Sequence, residues 1–91
     1  MSTVLREEDF FKTSELSLAA TLVCCGFYLD HLESLDPRRL NFVFKRDDAI
    51  DKVIQEFWAD TSLAISPKRF FYVLKELKSR IYAERRQILP D

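Results

Sequence analysis

Arg38-Arg39-Leu40-Asn41-Phe42-Val43-Phe44-Lys45-Arg46, in the middle of the chain, decides the fold. Leu40, Phe42 and Phe44 alternate with Asn41, Val43 and Lys45, so the two sets face opposite sides of a β-strand. Alternation of this length in aromatic and β-branched residues is the pattern of a half-buried strand. Asp36-Pro37 just before it marks a turn, because proline fixes φ and restricts the residue preceding it. Asp47 or Asp48 just after it can cap a helix by accepting from first-turn N–H groups.

Upstream, Phe27–Leu32 reads as a partner strand, with Phe27, Leu29 and His31 alternating with Tyr28, Asp30 and Leu32. A turn through Leu35-Asp36-Pro37 joins the two as an antiparallel hairpin, with a loop longer than two residues. Earlier still, a helix capped by Thr13 or Ser14 runs to about Cys25 and stops at Gly26, where a left-handed residue is usual. It is apolar nearly all round and carries no charge after Glu15, so most of it is buried. Phe10-Phe11-Lys12 leaves two readings open, a short edge strand or a tether onto the core.

Downstream, Ile50, Val53, Ile54 and Phe57 recur at helical spacing and define an amphipathic helix. Leu63-Ala64-Ile65 is either a bridge or a small third strand. Ser66-Pro67 starts the last helix, which runs to about Arg86 with Phe70, Val73, Leu74, Leu77 and Ile81 facing the core. The expectation is one α+β domain over residues 10–86, in the order α-β-β-α-(β)-α. An antiparallel sheet of two to three strands packs against three helices that cover chiefly one side. Residues 1–9 and 87–91 are expected to be flexible termini.

Bulk properties agree with this and narrow the function. The 91 residues suit one domain near the small end of what buries a core unaided. An apolar fraction of 47%, with eight Phe, three Tyr and one Trp, fits a filled core rather than a disordered chain. No apolar run approaches the roughly 20 residues that span a bilayer. The acidic start Arg6-Glu7-Glu8-Asp9 lacks the features of a signal peptide, so the cytoplasm is the expected location. Cys24 and Cys25 are adjacent in a helix and point about 100° apart; a bridge between them would be distorted, and they read as reduced, small, buried side chains.

Charge is unevenly shared. Residues 1–36 hold two basic residues against seven acidic ones, and residues 37–91 hold twelve against eight. The last helix gathers much of this excess. Lys68, Phe71, Lys75, Lys78, Tyr82 and Arg85 fall within about a third of its circumference, with Arg86 close by. Basic groups neutralise phosphates and exposed aromatic rings stack on unpaired bases, so the interleaving points to nucleic acid. The same pattern also fits a solvated helix face, with Phe71 and Tyr82 widening the core stripe under lysine stems. Arg38, Arg39, Lys45 and Arg46 at the ends of the central strand either extend the basic surface or guard a hydrophobic strand from aggregation.

Catalytic and metal chemistry find no anchor in the sequence. Phe42-Val43-Phe44 lacks the two small residues that precede the comparable part of the ribonucleoprotein motif. His31 has Asp30 and Glu33 nearby but no ligand spacing, and reads as a surface histidine beside a turn. Asp47-Asp48-x-x-Asp51 is a helix start rather than a calcium loop. One glycine cannot build a phosphate-cradling loop, and no serine has a nucleophile-elbow context. No catalytic residue, cofactor, metal site or small-molecule substrate is expected.

Several features in order resemble an uncharacterised domain family of small bacterial, phage and mobile-element proteins. They are Thr13-Ser14-Glu15-Leu16-x-x-Ala19-Ala20, Gly26-Phe27, Arg38-Arg39-Leu40-x-Phe42-x-Phe44, Phe57-Trp58 and Phe71-x-x-x-Lys75-x-x-Lys78-x-Arg80-Ile81-Tyr82. The resemblance implies a compact single domain and brings no assigned activity. The expected function is a non-enzymatic accessory binding module that contacts nucleic acid. The alternative is a protein–protein adaptor, inhibitor or homodimerising subunit of a larger complex, drawing on Tyr28, Trp58, Phe71, Tyr72 and Tyr82 or on a free sheet edge.

Overall fold

The computed structural model describes residues 7–36 and 38–88. After a short 3-10 turn at Glu7–Asp9, the chain forms strands Phe10–Thr13 (β1), Leu29–Asp36 (β2) and Arg39–Lys45 (β3). The helices are Leu16–Cys24 (α1), Asp48–Trp58 (α2) and Pro67–Ile88 (α3). The sheet is antiparallel in the order β1-β3-β2, so the stretch that decides the fold is its middle strand. This is the α+β class expected, three helices against a three-stranded sheet. The third strand comes from residues 10–13. Residues 61–66, the other candidate, carry no regular structure.

Phe42 and Phe44 are fully buried and form the floor on which the helices rest. Leu18, Ala19, Ala20 and Leu22 of α1, Ile50 of α2, and Val73 and Leu77 of α3 complete the core. The small residues Ala19 and Ala20 let α1 approach its neighbours closely. Its one buried polar side chain, Thr21, donates to the Ser17 carbonyl at 2.8 Å and so leaves nothing unsatisfied. The capping residue is Glu15, whose side chain makes no cap bond; Thr13 stays in β1 and its Oγ1 accepts from the Glu15 N–H at 3.0 Å. At the other end Gly26 takes φ 98, and the Gly26 and Phe27 N–H groups bond to the Val23 and Leu22 carbonyls. That closes α1 with a Schellman motif.

The partner strand departs from simple alternation. Leu29 pairs with Phe44 and Leu32 with Phe42, while only Val43 stands opposite Asp30 and His31. This β-bulge places Leu29 and Leu32 on the same core face, where alternation puts them on opposite ones. β2 also runs further than expected. It reaches Asp36, which pairs with Arg39 across two intervening positions rather than a longer loop. The Asp36 carboxylate accepts from the Arg38 N–H at 2.8 Å and tightens this end.

Among the described residues no helix packs on the second face of the sheet, yet Val43 on it is 0% exposed. Lys12 and His31 flank it in register. Lys12 Nζ donates to Glu33 Oε2 at 2.8 Å, bridging the outer strands, and the rings of Phe10 and His31 meet edge to face at 6.4 Å. Among the described residues, the long side chains of Lys12, Glu33 and Phe10 therefore help to shelter the middle strand on this face.

α2 starts on Asp47, whose Oδ1 accepts from the Ile50 N–H at 2.8 Å. It ends on Asp60, a non-glycine residue held at φ 58 in a second Schellman arrangement. Ser66 precedes the proline that opens α3, as the sequence indicates. Of the expected flexible termini, residues 1–6 and 89–91 lie outside the described residues. Glu7–Asp9 forms the 3-10 turn, and Gln87 and Ile88 continue the backbone of α3.

Candidate nucleic-acid interface on the last helix

α3 is 22 residues long, about 33 Å at 1.5 Å per residue. Phe70, Val73, Leu74, Leu77 and Ile81 pack inward against the core. On a helix this fixes what lies outward: Lys68, Tyr72, Lys75, Ser79, Tyr82 and Arg86, flanked on one side by Phe71, Lys78 and Arg85. Phe71 is 65% exposed, Tyr72 63% and Tyr82 73%. Phe71 and Tyr82 therefore do not widen the core stripe. Tyr72 joins them; the sequence counts it only among the surplus aromatics, although its angular position beside Lys75 places it on this face.

The cations around these rings are equally available. Among the described residues no carboxylate pairs with Lys68, Lys75, Lys78, Arg85 or Arg86, whereas the ion pairs present lie on the sheet and at the start of α2. Lys75, Lys78, Tyr82 and Arg86 line one shallow depression, and Tyr72 and Lys75 line the next along the helix. Among the described residues lining these depressions, Glu76 is the only acid. The face offers positive charge and flat apolar rings together, the combination that a phosphate backbone with accessible bases rewards.

The strand-end basics divide between two places. Arg38 and Arg39 line a cleft together with Arg85 of α3, so they continue the helix face. Lys45 and Arg46 lie at the opposite end of β3, about 20 Å away at 3.3 Å per residue. Lys45 shares a depression with Asp30 and Asp47. Arg46 Nε is 3.0 Å from Asp51 Oδ1 and ties β3 to the first turn of α2. Neither joins the cationic surface of α3.

Other candidate groups sit elsewhere. His31 is half exposed on the open sheet face, its Nδ1 2.6 Å from Asp30 Oδ2, on the bulge rather than beside a turn. Among the described residues no three His, Cys, Asp or Glu side chains gather as metal ligands. Both cysteines are free. Cys24 is half-buried and Cys25 exposed, not both buried as the sequence suggests, because Cys25 lies past the end of α1 as its C-cap. Burial pushes both thiols above their ordinary value, which reduces the reactive thiolate. No described helix is long and apolar enough to cross a membrane.

Fold and surface together define a small α+β domain, built on a hairpin and a short N-terminal strand, that displays a cationic aromatic helix. The chain belongs to the family described as Domain of unknown function (DUF5659), whose model matches residues 8–83. The uncharacterised family seen in the sequence motifs is thereby shown. The match takes in all three strands, α1, α2 and α3 as far as Ala83, leaving Arg85 and Arg86 beyond it. No curated protein and no solved structure matches the chain.

Proposed function

We propose that this chain is a non-enzymatic accessory module that holds nucleic acid, preferably single-stranded, on the outward face of α3. One observation carries the reading: Phe71, Tyr72 and Tyr82 are all more than half exposed among five cations that have no carboxylate partner among the described residues. Apolar ring surface left in water and rimmed by polar groups marks an interaction site, and the surrounding charge favours an anionic partner. Lys68, Lys75, Lys78, Arg85 and Arg86 would meet phosphates, with Arg38 and Arg39 extending the track. Phe71, Tyr72 and Tyr82 would stack on bases. A bacterial, phage or mobile-element complex is the setting that the sequence resemblance implies.

Titration with labelled single-stranded and duplex DNA and RNA at low salt tests this. The single strand should bind more tightly than the duplex, and Lys75→Glu/Lys78→Glu should weaken binding strongly without changing the melting curve. Absence of binding to every probe, or an unchanged affinity in the double variant, refutes it. The alternative, a protein adaptor, inhibitor or homodimer, draws on Tyr28, exposed beside the Glu76 and Arg80 flank of α3, and on Trp58, exposed at the end of α2. Light scattering that finds a dimer lost on Trp58→Ala would favour it.

A further inference from the structure

Arg85 follows Tyr82 by three residues, so the stacking face of α3 runs directly into the cleft at the start of β3. Arg38, Arg39 and Arg85 line this cleft, whose volume is ≈ 340 Å³. Leu16, Leu40, Phe42 and Ile81 give it an apolar floor, and Ser14 and Asn41 add neutral hydrogen-bonding groups. Among the described residues no Asp or Glu lines it. Asp36, paired with Arg39 in the hairpin, has its Oδ1 engaged by the Arg38 N–H and not by a guanidinium.

We propose that this cleft binds the terminal phosphate of a nucleic-acid strand carried on α3, with the end nucleotide's ring or sugar against the apolar floor. The proposal rests on the nucleic-acid reading of α3. Charge selects the ligand. An internal phosphodiester carries one negative charge, whereas a terminal monoester carries about 1.5 to 2 at neutral pH. Three guanidiniums with no carboxylate partner among the described residues match the second, and their planar forks suit its three free oxygens. Size agrees: the cleft is at the small end of the roughly 300–1,000 Å³ typical of ligand sites, room for one end nucleotide rather than a passing strand.

The test uses one sequence of about eight nucleotides, a usual site size, with a 5′-phosphate, a 3′-phosphate or hydroxyls at both ends. Each is titrated against the wild type, Arg39→Gln/Arg85→Gln and Lys75→Glu/Lys78→Glu, all checked for matching melting curves. The wild type should hold one of the two phosphorylated strands about tenfold more tightly than the hydroxyl-ended one, the scale of one charge-assisted bidentate contact. Arg39→Gln/Arg85→Gln should bring that ratio to one. Lys75→Glu/Lys78→Glu should weaken all three strands together. Equal wild-type affinity for all three ends, or a ratio that survives in Arg39→Gln/Arg85→Gln, overturns the cleft proposal and leaves the α3 reading standing. Failure of the wild type to bind any strand refutes the α3 reading and the cleft proposal with it.

Discussion

Truncating one residue on each face of α3 separates a displayed aromatic from a core aromatic. Tyr82 keeps 73% of its surface in water. Folding therefore removes about a quarter of it, roughly 50 Å² of an aromatic side chain's area, which at about 25 cal/mol/Å² is close to 1 kcal/mol. Alanine's better helix propensity offsets about 0.5 kcal/mol of that. Tyr82→Ala should thus cost about 0.5–1 kcal/mol, and Phe71→Ala, 65% exposed, about 1 kcal/mol. Leu77 sits five residues earlier on the opposite face and is 4% exposed. Its replacement by alanine should cost about 2–5 kcal/mol, a fall in Tm of roughly 10–30 °C for a domain of this size. Thermal and urea unfolding followed by far-UV circular dichroism reads both. A loss above about 1.5 kcal/mol for Tyr82→Ala or Phe71→Ala would put these rings in the core. The outward face would then not exist as described.

Three further outcomes concern the scaffold. Asp60 is held at φ 58 and Gly26 at φ 98, so the two positions respond oppositely in urea melts. Asp60→Gly should stabilise by about 0.5–1 kcal/mol and Gly26→Ala destabilise by about 1 kcal/mol, although a Cβ at Gly26 meets no neighbour. Asp47→Ala removes the cap on α2 and should cost about 1 kcal/mol; an unchanged midpoint would show that the Ile50 N–H is satisfied otherwise. The Lys12 hydrogen bond lowers the Glu33 carboxyl below its ordinary value. That stabilisation is present above the unfolded carboxylate pKa and is lost as pH falls through the folded one. Glu33→Gln should therefore flatten the Tm–pH curve below about pH 5, and an identical curve would mean the Lys12–Glu33 bridge contributes nothing.

Much of this architecture is legible from local pattern. Phe42 and Phe44 alternate with Asn41, Val43 and Lys45 and do form the floor; Ile50 through Phe57 and Phe70 through Ile81 keep helical spacing and do face the core. What escaped the sequence depends on pairing between distant segments. Phe10–Thr13 is too short for its own periodicity to speak, and becomes a strand only because β3 offers it an edge. Leu63-Ala64-Ile65 has the same local credentials and no such edge. The bulge at Asp30 and His31 inserts one residue without any glycine to announce it, and so reverses which side Leu32 faces. The Lys12–Glu33 bridge follows from that register and is equally invisible beforehand. The candidate site was legible to a similar extent: helical angles gathered the α3 cations, but only the fold separates Lys45 and Arg46 from Arg38 and Arg39.

Salt dependence tests the central claim most directly. If Lys68, Lys75, Lys78, Arg85 and Arg86 each neutralise one phosphate of a single strand, the logarithm of the binding constant should fall with that of salt at a slope of about −3.5. Affinity would then drop roughly 100-fold between about 50 and 200 mM salt. Removing Lys75 and Lys78 should reduce the slope by about 1.4. No binding at the lower salt, or binding that ignores salt across that range, would contradict the assignment of α3 as a phosphate-tracking surface.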